Sequence, residues 1–174
     1  MFQRRLGKNM QETPEQIAKR IIESIRYITI ASVSNNNIPW NSPVFSAHDK
    51  NLNFFWASDQ NAQHSKNIKE NNQVFLVIYD STVQEGAGEG VYIQAKAYEI
   101  KDEKEVRNAL KYLDGRVNKK SHTPNQFLGT MPRRVYKAIS EQIWVNGDGN
   151  VNGNYIDIRI GVNLASLRIN LTNQ

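Results

Sequence analysis

The segment from Phe54 to Asp80, FFWASDQNAQHSKNIKENNQVFLVIYD, places Ser58 at the end of an apolar run and His64, Ser65 and Lys66 in a short polar helical pattern. Hydroxyl and basic side chains at a strand-to-helix junction are suited to hold a phosphate, because the first helix amides lack intrahelical partners and the helix dipole favours an anion. A phosphomonoester carries about −1.5 to −2 charges near neutral pH, which two such side chains and a few amides can match. The same residues would equally serve as caps of the short helix, with Lys66 a solvated surface charge.

Other chemistries find less support. Gly86, Gly88 and Gly90 have the wrong spacing for a dinucleotide loop, and they lead into a strand pattern where a phosphate-binding turn leads into a helix. Asp148, Asn150, Asn152 and Gly153 match the first half of a calcium loop, but Arg159 stands where the bidentate glutamate belongs. His48, His64 and His122 lie far apart, with no cysteine to complete a zinc site. No nucleophile-elbow pattern surrounds any serine, so hydrolase chemistry has no support.

The elements that must position these groups begin with a helix. Thr13 as N-cap, Pro14 at the first helical position and Gln16 closing a capping box open it, and Ile17, Ile21, Ile22 and Ile25 form a stripe to lay on a sheet. From Tyr27 the period changes to two: YITIASVS, IPWNSPVFSA and LNFFWA read as strands of a meander joined by turns at 35–37 and 48–51. Pro39 and Pro43 remove two ladder donors from the second strand, which predicts an exposed or irregular edge with free backbone groups. Val74 to Tyr79 reads as a buried strand and VYIQAKAYEI as an alternating one. A helix opened by Asp102 then buries Val106, Leu110, Leu113 and Val117. Around SHTPNQFLGTMPRR the pattern is loop and short helix, followed by strands near Val135 to Ile139, Gln142 to Asn146 and Tyr155 to Val162. Strands in this number with few helices predict a mainly β (α+β) protein, a six-stranded antiparallel split barrel with flanking helices, in one domain over residues 1–174. Residues 1–12 are expected to be flexible.

A chain of 174 residues without cysteine excludes disulfides and thiolate chemistry and fits a reducing compartment, so a cytoplasmic location is expected. No apolar run reaches the roughly 18 residues of a membrane span. The net charge of +5 suits anionic ligands, but the basic residues are scattered along the chain, and a nucleic-acid partner is not expected.

The order SPVFSAHD, FFWASDQNAQHSKNIKENNQVFLVIYD, GVYIQAKAYEI, EQIWVNGD resembles the pyridoxamine 5'-phosphate oxidase-like superfamily of FMN-binding split barrels, over roughly Ile17 to Leu164. The pattern from His64 to Ile68 is closer to members without an assigned substrate than to the vitamin enzyme. The resemblance implies an FMN-binding oxidoreductase acting on a small molecule by hydride or electron transfer, with a non-catalytic flavin- or haem-binding protein as the alternative. A deazaflavin is a further alternative cofactor. The resemblance also implies that Pro43, Val44, Phe45 and Ser46 lie along the flavin ring, and that Ser58, His64, Ser65 and Lys66 face its phosphate. Trp144 and Arg159 would come from the second subunit of a homodimer with flavin at the interface. No catalytic acid or base and no metal ligand is implied. The arginine and serine clusters that bind the vitamin phosphate are absent from the C-terminal stretch NGDGNVNGNYIDIRIGVNLASLRINLTNQ, so true pyridoxamine 5'-phosphate oxidase activity is not expected.

Overall fold

The computed structural model describes residues 12–118 and 122–172. The predicted flexibility of residues 1–12 therefore lies outside the described residues except at Glu12, which pairs with Arg20 at 2.8 Å. Thr13 caps α1 (Pro14–Ser24) through a full capping box, and Ala18, Ile21 and Ile22 are buried against the sheet.

The strands are β1 (Tyr27–Val33), β2 (Pro39–Phe45), β3 (Ala47–His48), β4 (Asn53–Asp59), β5 (Gln73–Tyr79), β6 (Gly90–Glu99), β7 (Arg133–Val151) and β8 (Asn154–Gly161). They form one antiparallel, unclosed sheet of eight strands in the order β2-β1-β5-β6-β7-β4-β3, with β8 also on β7. The split-barrel class is as expected, with eight strands rather than six. Neighbouring strands follow a meander except where β1 meets β5 and β4 meets β7.

β2 lies at the sheet edge, where its prolines predicted it. Pro39 and Pro43 stand opposite Val33 and Thr29. Both occupy the same alternate positions of the ladder, so their missing donors fall on the open edge rather than toward β1. The two strands expected near 135–139 and 142–146 are one strand, β7. Its register against β6 shifts between Gln94 and Ala95, leaving Glu141 as the extra residue of a bulge. Asn152 and Gly153, both at positive φ, close the β7–β8 hairpin as a two-residue turn.

Between these strands lie α2 (Gln63–Glu70), α3 (Glu103–Arg116), a short 3₁₀ turn η1 (Pro124–Gln126) and α4 (Leu164–Thr172). One core fills the concave face of the sheet beneath α1 and α4, around Ile30, Trp56, Leu76 and Ile93. A second lies on the opposite face, where α3 buries Val106, Ala109, Leu110 and Leu113 over Phe55, Phe127 and Val135. Val117, expected in that stripe, sits at the α3 C-cap and is exposed. Among the described residues no helix is long and apolar enough to cross a membrane.

Candidate functional site

The strand-to-helix junction forms as its residues predict. β4 ends at Asp59, whose carboxylate accepts the Asn61 amide at 2.7 Å and whose carbonyl accepts the Ser65 hydroxyl at 2.8 Å. These bonds turn the chain into α2, which starts after Ala62 with no side-chain cap. The polar residues therefore do not serve as the helix cap, and the first amides of α2 remain for another acceptor.

Beside this junction is a cavity of about 400 Å³ lined by Tyr27, Pro43, Val44, Phe45, Ala57, Ser58 and His64, with Leu110, Leu113, Val117, His122, Phe127 and Arg133 on the other walls. The size and the mix of apolar walls with few polar groups are those of a small-molecule site. His64 is buried, and burial holds its imidazole below the usual histidine range. Its Nδ1 is 3.2 Å from the Ser42 hydroxyl oxygen, which in turn accepts the Trp40 indole N–H at 2.9 Å. Because Ser42 Oγ already accepts, its proton is assigned toward His64 Nδ1, which leaves the hydrogen of the neutral ring on Nε2. That Nε2 is buried without a partner. An unmatched buried donor costs about 1–3 kcal/mol, and the group that would relieve it is an acceptor placed in the cavity.

The remaining predicted site residues divide. Pro43, Val44, Phe45, Ser58 and His64 share the cavity, whereas Ser46 is buried behind it, its amide donating to the Arg26 carbonyl at 2.9 Å. Ser65 is spent on the Asp59 carbonyl, and Lys66 is exposed on α2 and outside the cavity lining. Two residues apart on a helix, His64 and Lys66 cannot face the same way. Arg133 lines the cavity where Lys66 does not: β4–β7 pairing sets it opposite Asp59, and its guanidinium lies 5.5 Å from the centre of the Phe127 ring. No local pattern announces it, because the pairing is remote in sequence. His122 and the Leu110–Val117 side of α3 were likewise missed as cavity walls.

Trp144 and Arg159 lie elsewhere on this chain, on the face of the sheet that α3 leaves bare. Trp144 stacks on Phe75 at 6.3 Å, and Arg159 holds its guanidinium 4.0 Å over the Tyr92 ring while pairing with Asp157 at 2.6 Å. Tyr27, Phe75 and Tyr79 on the same face are 62%, 38% and 48% exposed.

A sequence model of one protein family, pyridoxamine 5'-phosphate oxidase, matches residues 13–143, three quarters of the chain. The chain belongs to the pyridoxamine 5'-phosphate oxidase family. Among curated protein sequences none matches it. Solved structures of the family's fold align over most of its length. A candidate 5-nitroimidazole antibiotic resistance protein from Bacteroides thetaiotaomicron is 16% identical with a TM-score of 0.62, over 78% of this chain and 84% of that one. A haem-binding protein from Mycobacterium smegmatis is 13% identical with a TM-score of 0.66, over 92% of this chain and 62% of that one. The haem storage protein HutZ from Vibrio cholerae is 16% identical with a TM-score of 0.59, over 74% and 91%. At these identities the likeness is one of fold.

Proposed function

We propose that this family member binds FMN in the cavity beside α2 and acts as an oxidoreductase on a small molecule. The observation that carries the reading is the His64 Nε2 donor, buried without a partner next to Ser58 and the uncapped start of α2. A phosphate supplies acceptors to all three, with Arg133 as the cation at the rim. The open edge of β2 at Pro43 to Phe45 would offer backbone groups to the polar rim of the flavin ring. Bound FMN would supply hydride or electron transfer, while the protein orients it and sets the polarity around it.

The proposed unit is a homodimer. The bare aromatic face around Tyr27, Phe75, Tyr92 and Trp144 borders the cavity, and an apolar patch of this kind marks an interaction surface. In the dimer Trp144 and Arg159 would reach the partner's flavin.

Haem is the second reading, favoured by the two histidines, His64 and His122, on the cavity wall and by the names of two proteins of similar fold. The test is the visible spectrum of the purified protein before and after addition of FMN, with any released cofactor identified by mass. Flavin bands, or saturation at one FMN per chain, followed by reduction with a nicotinamide and reoxidation by an acceptor, support the proposal. A Soret band with no flavin uptake would overturn it in favour of haem, and a deazaflavin would be recognised by its mass.

A further inference from the structure

Next to the cavity just described is a second, larger hollow of about 590 Å³ between α3 and η1. His122 and Leu110 stand in the wall of both. We propose that this hollow is a ligand subsite for a small organic anion with an apolar body, held by Lys111 and by the imidazole of His122. The proposal goes beyond the flavin reading and does not require it.

The Asp114 side chain is buried on α3, where an ionised group is costly unless it is fully engaged. It accepts twice from one residue: from the His122 amide at 3.3 Å and from the His122 ring Nδ1 at 2.5 Å. Anchoring the backbone alone would need only the first of these bonds. The second fixes the ring, with the Nδ1 hydrogen directed to the carboxylate, and Nε2 meets an anion as a donor when the ring carries hydrogens on both nitrogens. The edge of Phe127 holds the ring from another side, with centroids 5.6 Å apart. Nε2 has no hydrogen-bond partner among the described residues, and the side chain is 37% exposed at the hollow. A carboxylate–imidazole pair on a cavity wall is an arrangement that presents one nitrogen to a ligand.

The other walls set the ligand class. Leu110 and Pro124 supply apolar surface. Arg107 is engaged with Glu103 at 2.6 Å, whereas Lys111 has no ion-pair partner among the described residues. Among the described residues, the charged and titratable groups around His122 are thus Asp114, Lys111 and Arg107 from α3, Arg133 from β7 and His64 from α2. The one carboxylate among the described residues that line the hollow is bonded to His122, so the balance favours an anion.

The probe is benzoate, with benzamide as its neutral isostere, added to the apoprotein. The ring Cε1–H resonances of its three histidines are followed by proton–carbon correlation spectroscopy. The expected result is a saturable shift of the His122 resonance with benzoate and a much weaker response to benzamide. Lys111→Met should weaken benzoate binding about tenfold, the size of one lost charge-assisted contact. Asp114→Asn should abolish the His122 response. Lys111 is exposed, so its replacement does not threaten folding. A His122 resonance that ignores benzoate, an equal response to benzamide, or an unchanged affinity in Lys111→Met would each overturn the proposal. None of these readouts involves a flavin, so a failure here and a failure of FMN binding are separately visible.

Discussion

Replacing His64 with leucine should move stability and ligand affinity in opposite directions. In the apoprotein His64 is 7% exposed, and its Nε2 donor is buried without an acceptor. Removing an unsatisfied donor returns about 1–3 kcal/mol, while losing the bond to Ser42 costs about 0.5–1.5 kcal/mol. Ser42 keeps a partner after the change, because Trp40 still donates to it at 2.9 Å. Leucine is close to histidine in volume, so packing adds little. The apoprotein should therefore gain about 1 kcal/mol in urea unfolding. FMN, by contrast, loses a hydrogen bond to a charged group, worth about 1.5–3 kcal/mol, or roughly 10- to 150-fold in dissociation constant. Riboflavin, which lacks the phosphate, serves as the control in fluorescence titrations, and its affinity should hardly change. Equal losses for FMN and riboflavin would place His64 at the ring rather than the phosphate. A less stable apoprotein with unchanged FMN affinity would refute the reasoning altogether.

Four further outcomes are expected. Burial lowers the pKa values of His48 and His64, so the unfolded chain takes up their protons first; apoprotein stability should fall as pH drops through the ordinary histidine range near about 6.5, and be fully present above it. A phosphate beside His64 favours its protonated form, so FMN affinity relative to riboflavin should rise as pH falls toward about 6, where the phosphate begins to lose its own second charge; a flat ratio would count against the site. Arg116 donates to the Ile22 and Ile25 carbonyls at 2.7 and 2.5 Å, closing an α1 end that has no basic residue in its last turn, and Arg116→Met should cost about 2–3 kcal/mol in urea unfolding. Trp144→Ala should weaken both FMN binding and dimerisation, measured by titration and sedimentation, while the chain still folds; a wild-type dissociation constant and mass would reassign Trp144 to packing within its own face.

What the sequence disclosed and what it concealed follow from how far each signal reaches. The Thr13 capping box and the edge position of β2 were legible because caps and prolines act within a few residues. β7 was legible only as two strands: burial falls on Ala138 and Ser140 before the bulge and on Ile143 and Val145 after it, so the alternation changes phase at Glu141. α4 escaped because exposed Ile169 blurs the stripe of Leu164, Leu167 and Leu171. In the site, Ser58 and His64 could be read from local pattern. Lys66 falls outside the cavity lining because helical periodicity turns it away from His64, while Arg133 and the Asp114–His122 pair depend on tertiary pairing that no local window contains.

The unequal cover of the sheet links these observations. α3 and η1 protect the convex face only over β3, β4 and the start of β7, and the second core stops there. Beyond that limit the same face continues as Tyr27, Phe75, Tyr92 and Trp144 with no element of the described chain packed over it. The cavity lies at this boundary, walled by α3 residues on one side and by Tyr27 and Phe45 on the other. A ligand there would meet rigid strand edges and an α2 start that already carries free donors, so little protein would need to be ordered on binding. Its remaining side would be open to the bare face and whatever packs on it. For the proposed homodimer this makes ligand binding and assembly thermodynamically linked, since each would bury apolar surface that the other leaves exposed. FMN should then tighten the dimer by the same factor by which dimerisation tightens FMN. Sedimentation of the apoprotein with and without FMN measures the first factor, and FMN titration at protein concentrations above and below the dimer midpoint measures the second; unequal factors, or none, would separate the cavity from the interface.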